Sequence, residues 1–312
     1  MDKTIIKKIF LRNNLGKIDK IEKIKIGFTN IIYLIDNRYI LKICKDANNE
    51  NNFEKEVYFY NLFKNKLPVP NLIVYDNSKK IYNKFFMIYP KIQGDNLYAK
   101  WHLMDNLERK KIIKELCGYI KNINNTTYND YVKKFKIDHP LNWHNKIVTS
   151  IQNSLKKIKK NKLITSEFIK EIETFVDKYS YVLMEQKMVL VYWDGHFDNI
   201  LVKNNRIVGI LDFERTELSS LDFYLDIVKR MVGRPKKYMS AEIEKFGRKK
   251  DYIKLLEWHQ EYYPKLFEFK NLNKRLDLYA LEHDLKDLIG WPDVKEIKQV
   301  IAKTINYKKF IF

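Results

Sequence analysis

Cysteine is scarce in this chain: Cys44 and Cys117 are the only two in 312 residues. Their spacing matches no metal-ligand pattern, which excludes a disulfide scaffold and a zinc finger or ribbon. Long apolar runs are missing as well, and nothing approaches the roughly 20 residues needed to cross a bilayer. The opening Met1-Asp-Lys-Thr-Ile-Ile-Lys-Lys has neither a long apolar segment nor a small-residue cleavage site. The chain also has no internal repeat, Gly/Ser linker or low-complexity tract. These absences imply a reduced, cytoplasmic protein with no membrane partner.

What is present is a well-stocked core. The chain is 45% hydrophobic and 14% aromatic, too apolar for global disorder, and long enough for two domains or lobes. The formal charge of +20 suggests a polyanionic partner at first sight. Its distribution does not: residues 182–293 hold 19 basic and 19 acidic side chains, so the excess lies elsewhere. Basic residues nowhere interleave with aromatics as in a nucleic-acid module, and no nucleic-acid partner is expected.

Alternation at 23–26, a short apolar run at 31–35 and a run with one internal lysine at 39–43 mark strands, separated by Gly27-Phe-Thr-Asn30 and by Asp36-Asn37, both hairpin chemistry. A helix over about 49–64 repeats Phe53, Val57, Tyr60 and Phe63 at three- and four-residue spacing, and Leu67-Pro-Val-Pro70 ends it. A strand is expected at 85–89. From Leu97 onward the pattern is mainly helical, over 107–123, 143–158, 167–179 and 272–289, interrupted by a strand-rich stretch at 188–212. The expected class is α+β and two-lobed: a small antiparallel sheet lobe with one helix at 1–94, then a larger, mainly helical lobe at 95–312.

The interruption carries the chemistry. Val191-Tyr-Trp-Asp194-Gly-His196-Phe-Asp-Asn199-Ile-Leu-Val202 places a polar loop between apolar runs, and Ile210-Leu-Asp212-Phe213-Glu214 follows. A carboxylate, a neutral amide oxygen and a second carboxylate suit phosphoryl transfer. One carboxylate orients or deprotonates a hydroxyl, and the other oxygens hold Mg²⁺ on nucleotide phosphates. Taken singly, such residues are often turn caps; in this order they imply a small-molecule kinase.

At these residues the chain resembles the aminoglycoside phosphotransferases and choline-kinase-like enzymes, whose fold is that of protein kinases. Their catalytic loop reads His-Gly-Asp-x-His-x-x-Asn, against Tyr192-Trp193-Asp194-Gly195-His196-Phe197-Asp198-Asn199 here. The resemblance implies Asp194 as catalytic base, Asn199 and Asp212 as Mg²⁺ ligands, and His196 as a bonded loop residue. Asp222-Phe-Tyr-Leu-Asp226 resembles the following Asp-Pro-x-x-Asp, with Asp226 structural. Tyr192 and Trp193 replace the family's His and Gly, which implies altered packing; tyrosine still donates a hydrogen bond.

Lys42 sits mid-strand, where alternation alone leaves it facing solvent or a cleft, and Glu56 lies on the next helix. The resemblance makes Lys42 the ligand of the α and β phosphates and Glu56 its orienting partner; a surface ion pair is the plainer alternative. By the same resemblance Gly27, Thr29 and Asn30 face phosphate. A purine base bonds the Pro90 carbonyl and the Ile92 N–H, with Tyr89 at the back of the pocket. The donor is ATP or GTP.

On the helix 272–289, Asp277 and Asp284 fall on the shoulder of an apolar stripe, where carboxylates need a partner. The resemblance implies a cationic or polyhydroxylated acceptor as one partner, with Glu214 and Glu217 close by; an internal cation such as Arg215 or Arg230 is another. Trp143, Trp258 and Trp291 offer an ammonium-binding surface or else core packing. The reading is a monomeric O-phosphotransferase of the antibiotic-resistance type, acting on an aminoglycoside. Its alternatives are a choline, ethanolamine or sugar kinase, or a kinase-like scaffold without turnover.

Overall fold

The computed structural model describes residues 3–24, 30–138 and 141–307. In chain order the elements are α1 (Lys3–Arg12), β1 (Ile21–Ile24), β2 (Asn30–Ile35), β3 (Tyr39–Cys44), α2 (Glu50–Phe63), β4 (Val74–Asp76), β5 (Phe86–Pro90) and β6 (Asp95–Asn96). Then come α3 (Leu97–Trp101), α4 (Asn106–Asn124), α5 (Asn129–Phe135), α6 (Trp143–Lys160), α7 (Ser166–Tyr179), β7 (Met188–Tyr192), β8 (Ile200–Lys203), β9 (Arg206–Ile210) and β10 (Thr216–Ser220). Four helices close the chain: α8 (Tyr224–Gly233), α9 (Leu255–Tyr262), α10 (Leu272–Gly290) and α11 (Lys295–Thr304). No helix among the described residues is long and apolar enough to cross a membrane.

The first five-stranded sheet is antiparallel, in the order β1-β2-β3-β5-β4. Register puts Ile32, Lys42 and Met87 on one face, and Tyr33, Leu41 and Ile88 on the other. The second face is sealed by α1, whose Ile6, Ile9 and Phe10 pack on Tyr33, Ile35, Leu41, Ile43, Phe86 and Ile88. At roughly 1.5–3 kcal/mol for each buried large side chain, this cluster covers one face of β3 and leaves Lys42 on the opposite face. Only one helix was expected in this lobe. The structure adds α1, whose apolar residues at i, i+3 and i+4 were hidden among Lys3, Lys7, Lys8 and Arg12.

Two hairpins turn on left-handed residues with side chains. Asp36 and Asn37 have φ of 49° and 53°, and Asn204 and Asn205 have 51° and 55°, the backbone of a type I′ turn. The second hairpin joins β8 to β9, and β6 pairs with β8 to complete a three-stranded sheet.

The chain forms two compact units. The first comprises residues 1–122, 192–217 and 230–262, and contains the sheets just described. The second comprises residues 123–191, 218–229 and 263–312. Within it Arg275 has no solvent exposure and donates to both carboxylate oxygens of Asp222 at 2.6 and 2.9 Å. Tyr279 joins this pair through its hydroxyl, 3.0 Å from Asp222, and also accepts from Trp143 Nε1 at 2.9 Å.

Candidate active site

The catalytic-loop residues all fall in the first unit. Strand β7 ends on the buried Leu190, Val191 and Tyr192, after which the chain turns through Trp193–His196 into a short helical turn at Phe197–Asn199. Phe197 anchors that turn, with its ring 4.6 Å from Trp101 and 5.4 Å from Tyr98. Asn199 N–H donates to His196 O at 3.0 Å, and Leu211 N–H donates to Asn199 O at 2.9 Å. The Asn199 amide nitrogen donates to Asp194 O at 2.8 Å, which leaves its amide oxygen as the atom for a cation. Asn96 braces the loop from the side, donating to Asp198 O and Oδ1 while its own oxygen caps α3.

Asp194 is largely buried and lies 3.4 Å from His196 Nε2. Burial pushes its carboxyl up to about 6, against the opposing pull of Arg215 and Lys42, while Asp212 adds to the rise. His196 lies between the rings of Tyr98 and Tyr238, at 6.4 and 5.0 Å. Burial depresses it to about 4, so the imidazole is neutral near pH 7. Trp193 is buried, and its ring carries the Arg215 guanidinium at 5.7 Å.

The choice left open for Lys42 is resolved by burial: it is 4% exposed. Its ammonium donates to Glu56 at 2.6 and 2.8 Å and stands 3.4 Å from Asp212 Oδ1. Burial alone would lower its pKa, but Asp212 and Glu56 more than offset that and raise it. Two carboxylates thus lock the cation in its charged state.

Gly27 and Thr29 lie outside the described residues. Asn30 is described, and its amide donates to Glu214 Oε2 at 3.2 Å. Glu214 therefore stands beside the lysine rather than apart from it, and carboxylate oxygens of Glu56, Asp212 and Glu214 lie within 4.8 Å of one another. These hard oxygens, with the amide oxygen of Asn199, fit Mg²⁺ better than a thiol-seeking metal. Glu217 is half-buried on β10.

At the end of β5, Tyr89 is buried, its ring edge-on to Tyr60 at 6.3 Å. Lys91 N–H bonds Arg38 O, so the next pair along, Tyr39–Pro90, is of the non-bonded kind and the Pro90 carbonyl turns away from β3. Ile92 N–H makes no hydrogen bond within the described residues. This is the acceptor-and-donor pair that a purine edge requires.

The acidic residues of α10 belong to the second unit. Asp277 is paired with Lys229 at 3.1 Å and Lys274 at 3.2 Å, neither of which was singled out from the sequence. Asp284 is fully buried, as is Asp226 at 1% exposure. Trp143 and Trp258 are buried, whereas Trp291 is 58% exposed. The sequence reading missed the roles of Tyr60, Asn96 and Arg215. Tyr60, four residues after Glu56 and so on the same helical face, had a legible signal.

With this geometry in place, comparison with known proteins gives the class. Residues 20–223 match the phosphotransferase enzyme family, and the chain belongs to that family. Its fold is that of the aminoglycoside phosphotransferases. It is similar to the ADP-bound aminoglycoside phosphotransferase APH(2'')-Ib, with a TM-score of 0.71, 20% identity and 100% of each chain covered. It is also similar to the GDP complex of wild-type aminoglycoside 2'-phosphotransferase-IIIa, with a TM-score of 0.72, 14% identity and 98% of each chain covered. A thermostable mutant of APH(4)-Ia, in ternary complex with AMP-PNP and hygromycin B, matches with a TM-score of 0.65 and 14% identity over 96% of this chain and 95% of that one.

Proposed function

We propose that this phosphotransferase moves the γ-phosphoryl group of ATP or GTP to a hydroxyl of an aminoglycoside. The observation that carries the reading is the Lys42 ammonium, held by Glu56 and beside Asp212, in the unit where Asn199 is bonded to the Asp194 backbone. In this reading Lys42 and the loop ending at Asn30 hold phosphates. Asn199 and Asp212 would hold Mg²⁺, which would supply positive charge against the negative phosphates. Asp194 accepts the hydrogen bond of the incoming hydroxyl and takes its proton. Tyr89, Pro90 and Ile92 hold the base.

The neighbours that bind gentamicin, streptomycin or kanamycin support an aminoglycoside as acceptor, with resistance as its consequence, and Glu214 and Glu217 suit a polycation. Burial of Trp143 and Trp258 in packing removes two of the three aromatic surfaces a choline kinase would need. Integrity of the Lys42 cluster counts against a scaffold without turnover. A coupled assay of ATP and GTP against aminoglycosides, choline, ethanolamine and simple sugars tests the reading, with Asp194→Asn as control. Turnover with aminoglycosides, abolished in the variant, is the expected result. Equal background in both proteins would support the scaffold.

A further inference from the structure

A single peptide group, Leu211–Asp212, is gripped at both ends by phenols. Tyr192 Oη donates to the Leu211 carbonyl at 2.5 Å. The N–H of Asp212, on the same peptide, donates to Tyr60 Oη at 3.0 Å. Tyr60 Oη in turn donates to Glu56 Oε1 at 2.6 Å, and Glu56 receives the Lys42 ammonium. The Phe213 ring is stacked on Tyr192 at 4.6 Å and edge-on to Tyr60 at 5.8 Å, so the residue after Asp212 is fixed by the same two side chains. Asp212 itself is left-handed, with φ 59° and ψ 67°, a conformation that aspartate reaches more readily than most residues but that still costs energy in a residue with a Cβ.

We propose that Tyr60 and Tyr192 are positioning residues that hold the Asp212 carboxylate where the metal ion is bound. Every hydrogen bond in the chain runs the same way, from Tyr192 through the peptide to Tyr60 and then Glu56, so each bond polarises the next. Loss of either hydroxyl frees the peptide to rotate. Because φ of Asp212 turns with it, the carboxylate leaves the Lys42 side of the site. The inference rests on the proposed role of Asp212 as a metal ligand.

The test uses the full chain and a non-hydrolysable ATP analogue, whose binding is followed by calorimetry as free Mg²⁺ is varied. Tyr60→Phe and Tyr192→Phe are each expected to raise the Mg²⁺ needed for half-maximal binding about fivefold, the factor one ordinary hydrogen bond contributes. Tyr75→Phe, which removes a hydroxyl bonded to Glu54 elsewhere in the same unit, is expected to leave it unchanged. A Mg²⁺ requirement within twofold of the parent in both folded Phe variants would overturn the proposal, whatever happens to melting temperature. An Asp212→Asn arm separates the two failures: if that variant also keeps the parent's Mg²⁺ dependence, the metal-ligand reading itself has failed.

Discussion

Lys42 Nζ lies 2.6 Å from Glu56 Oε2, and both side chains are withdrawn from solvent, at 5% and 0% exposure. Removing Glu56 leaves the buried ammonium only Asp212, at 3.4 Å, as counter-charge, and loss of a buried partner costs about 3–5 kcal/mol. Glu56→Leu should therefore destabilise the protein by roughly that amount in urea unfolding. Glu56→Leu with Lys42→Met should recover much of the loss while nucleotide binding stays abolished. A double variant no more stable than Glu56→Leu alone would contradict this account.

The Asp194 carboxyl, raised to about 6 by burial, gives two pH signatures. Turnover should rise with pH through about 6 as the base loses its proton. Stability has the opposite sign: the folded protein binds a proton more readily than the unfolded chain, so the ionised carboxylate costs stability above about 6 and nothing below its ordinary value of 3.8. In metal-free protein at pH 7.5, Asp194→Asn should therefore melt several degrees higher, from a gain of up to about 3 kcal/mol. That gain should vanish as pH falls toward 4. A variant that melts lower at pH 7.5 would show that the carboxylate is stabilised by contacts other than those described.

Two glycines should respond to alanine with opposite signs. A Cβ at Gly94, beside the proposed base-binding segment, would meet Val208 Cγ2 at 2.7 Å and the Val202 carbonyl at 3.2 Å. Gly94→Ala should cost roughly 1–3 kcal/mol and raise KM for the nucleotide. Gly118, inside α4, has nothing within 4 Å of such an atom, so Gly118→Ala should stabilise by about 0.5–1 kcal/mol. Thermal melting of both variants reads the contrast directly.

In the second unit, Arg275→Met should destabilise by about 3–5 kcal/mol. It strands Asp222 and removes donors to the Val182 and Glu185 carbonyls. Arg275→Lys should rescue little, because an ammonium cannot span Asp222 as the fork does. Urea midpoints for the two variants measure the difference.

The sequence was most legible where period and chemistry coincide. The strands carrying Asn30, Lys42 and Tyr89 and the helix carrying Glu56 were placed to within a residue or two, whereas β8 and β9 were foreseen only as a strand-rich stretch. Helix α1 escaped notice because its lysines mask a narrow apolar stripe. Side-chain direction was harder. Alternation could not say which face of β3 was covered until α1 was seen on the other side. The partners of Asp277 depend on how α8 and α10 pack, and tertiary packing leaves no local mark. The hydrogen bond from Asn30 to Glu214 spans 184 residues, and spacing from Asp212 cannot predict such a link.

The hairpin turns at Asn37 and Asn205 have a consequence for how this polypeptide can be altered. A side-chain amide tolerates the mirror-image backbone that most residues avoid, so asparagine does at these bends what glycine does elsewhere. Glycine should replace either residue at the cost only of one exposed hydrogen bond, from Lys91 to Asn37 or from Asn205 to Glu108, whereas valine or isoleucine there should unravel the neighbouring ladder. An organism or engineer could thus vary these bends within a narrow chemical alphabet while the strands on either side, β2 with β3 and β8 with β9, keep their register.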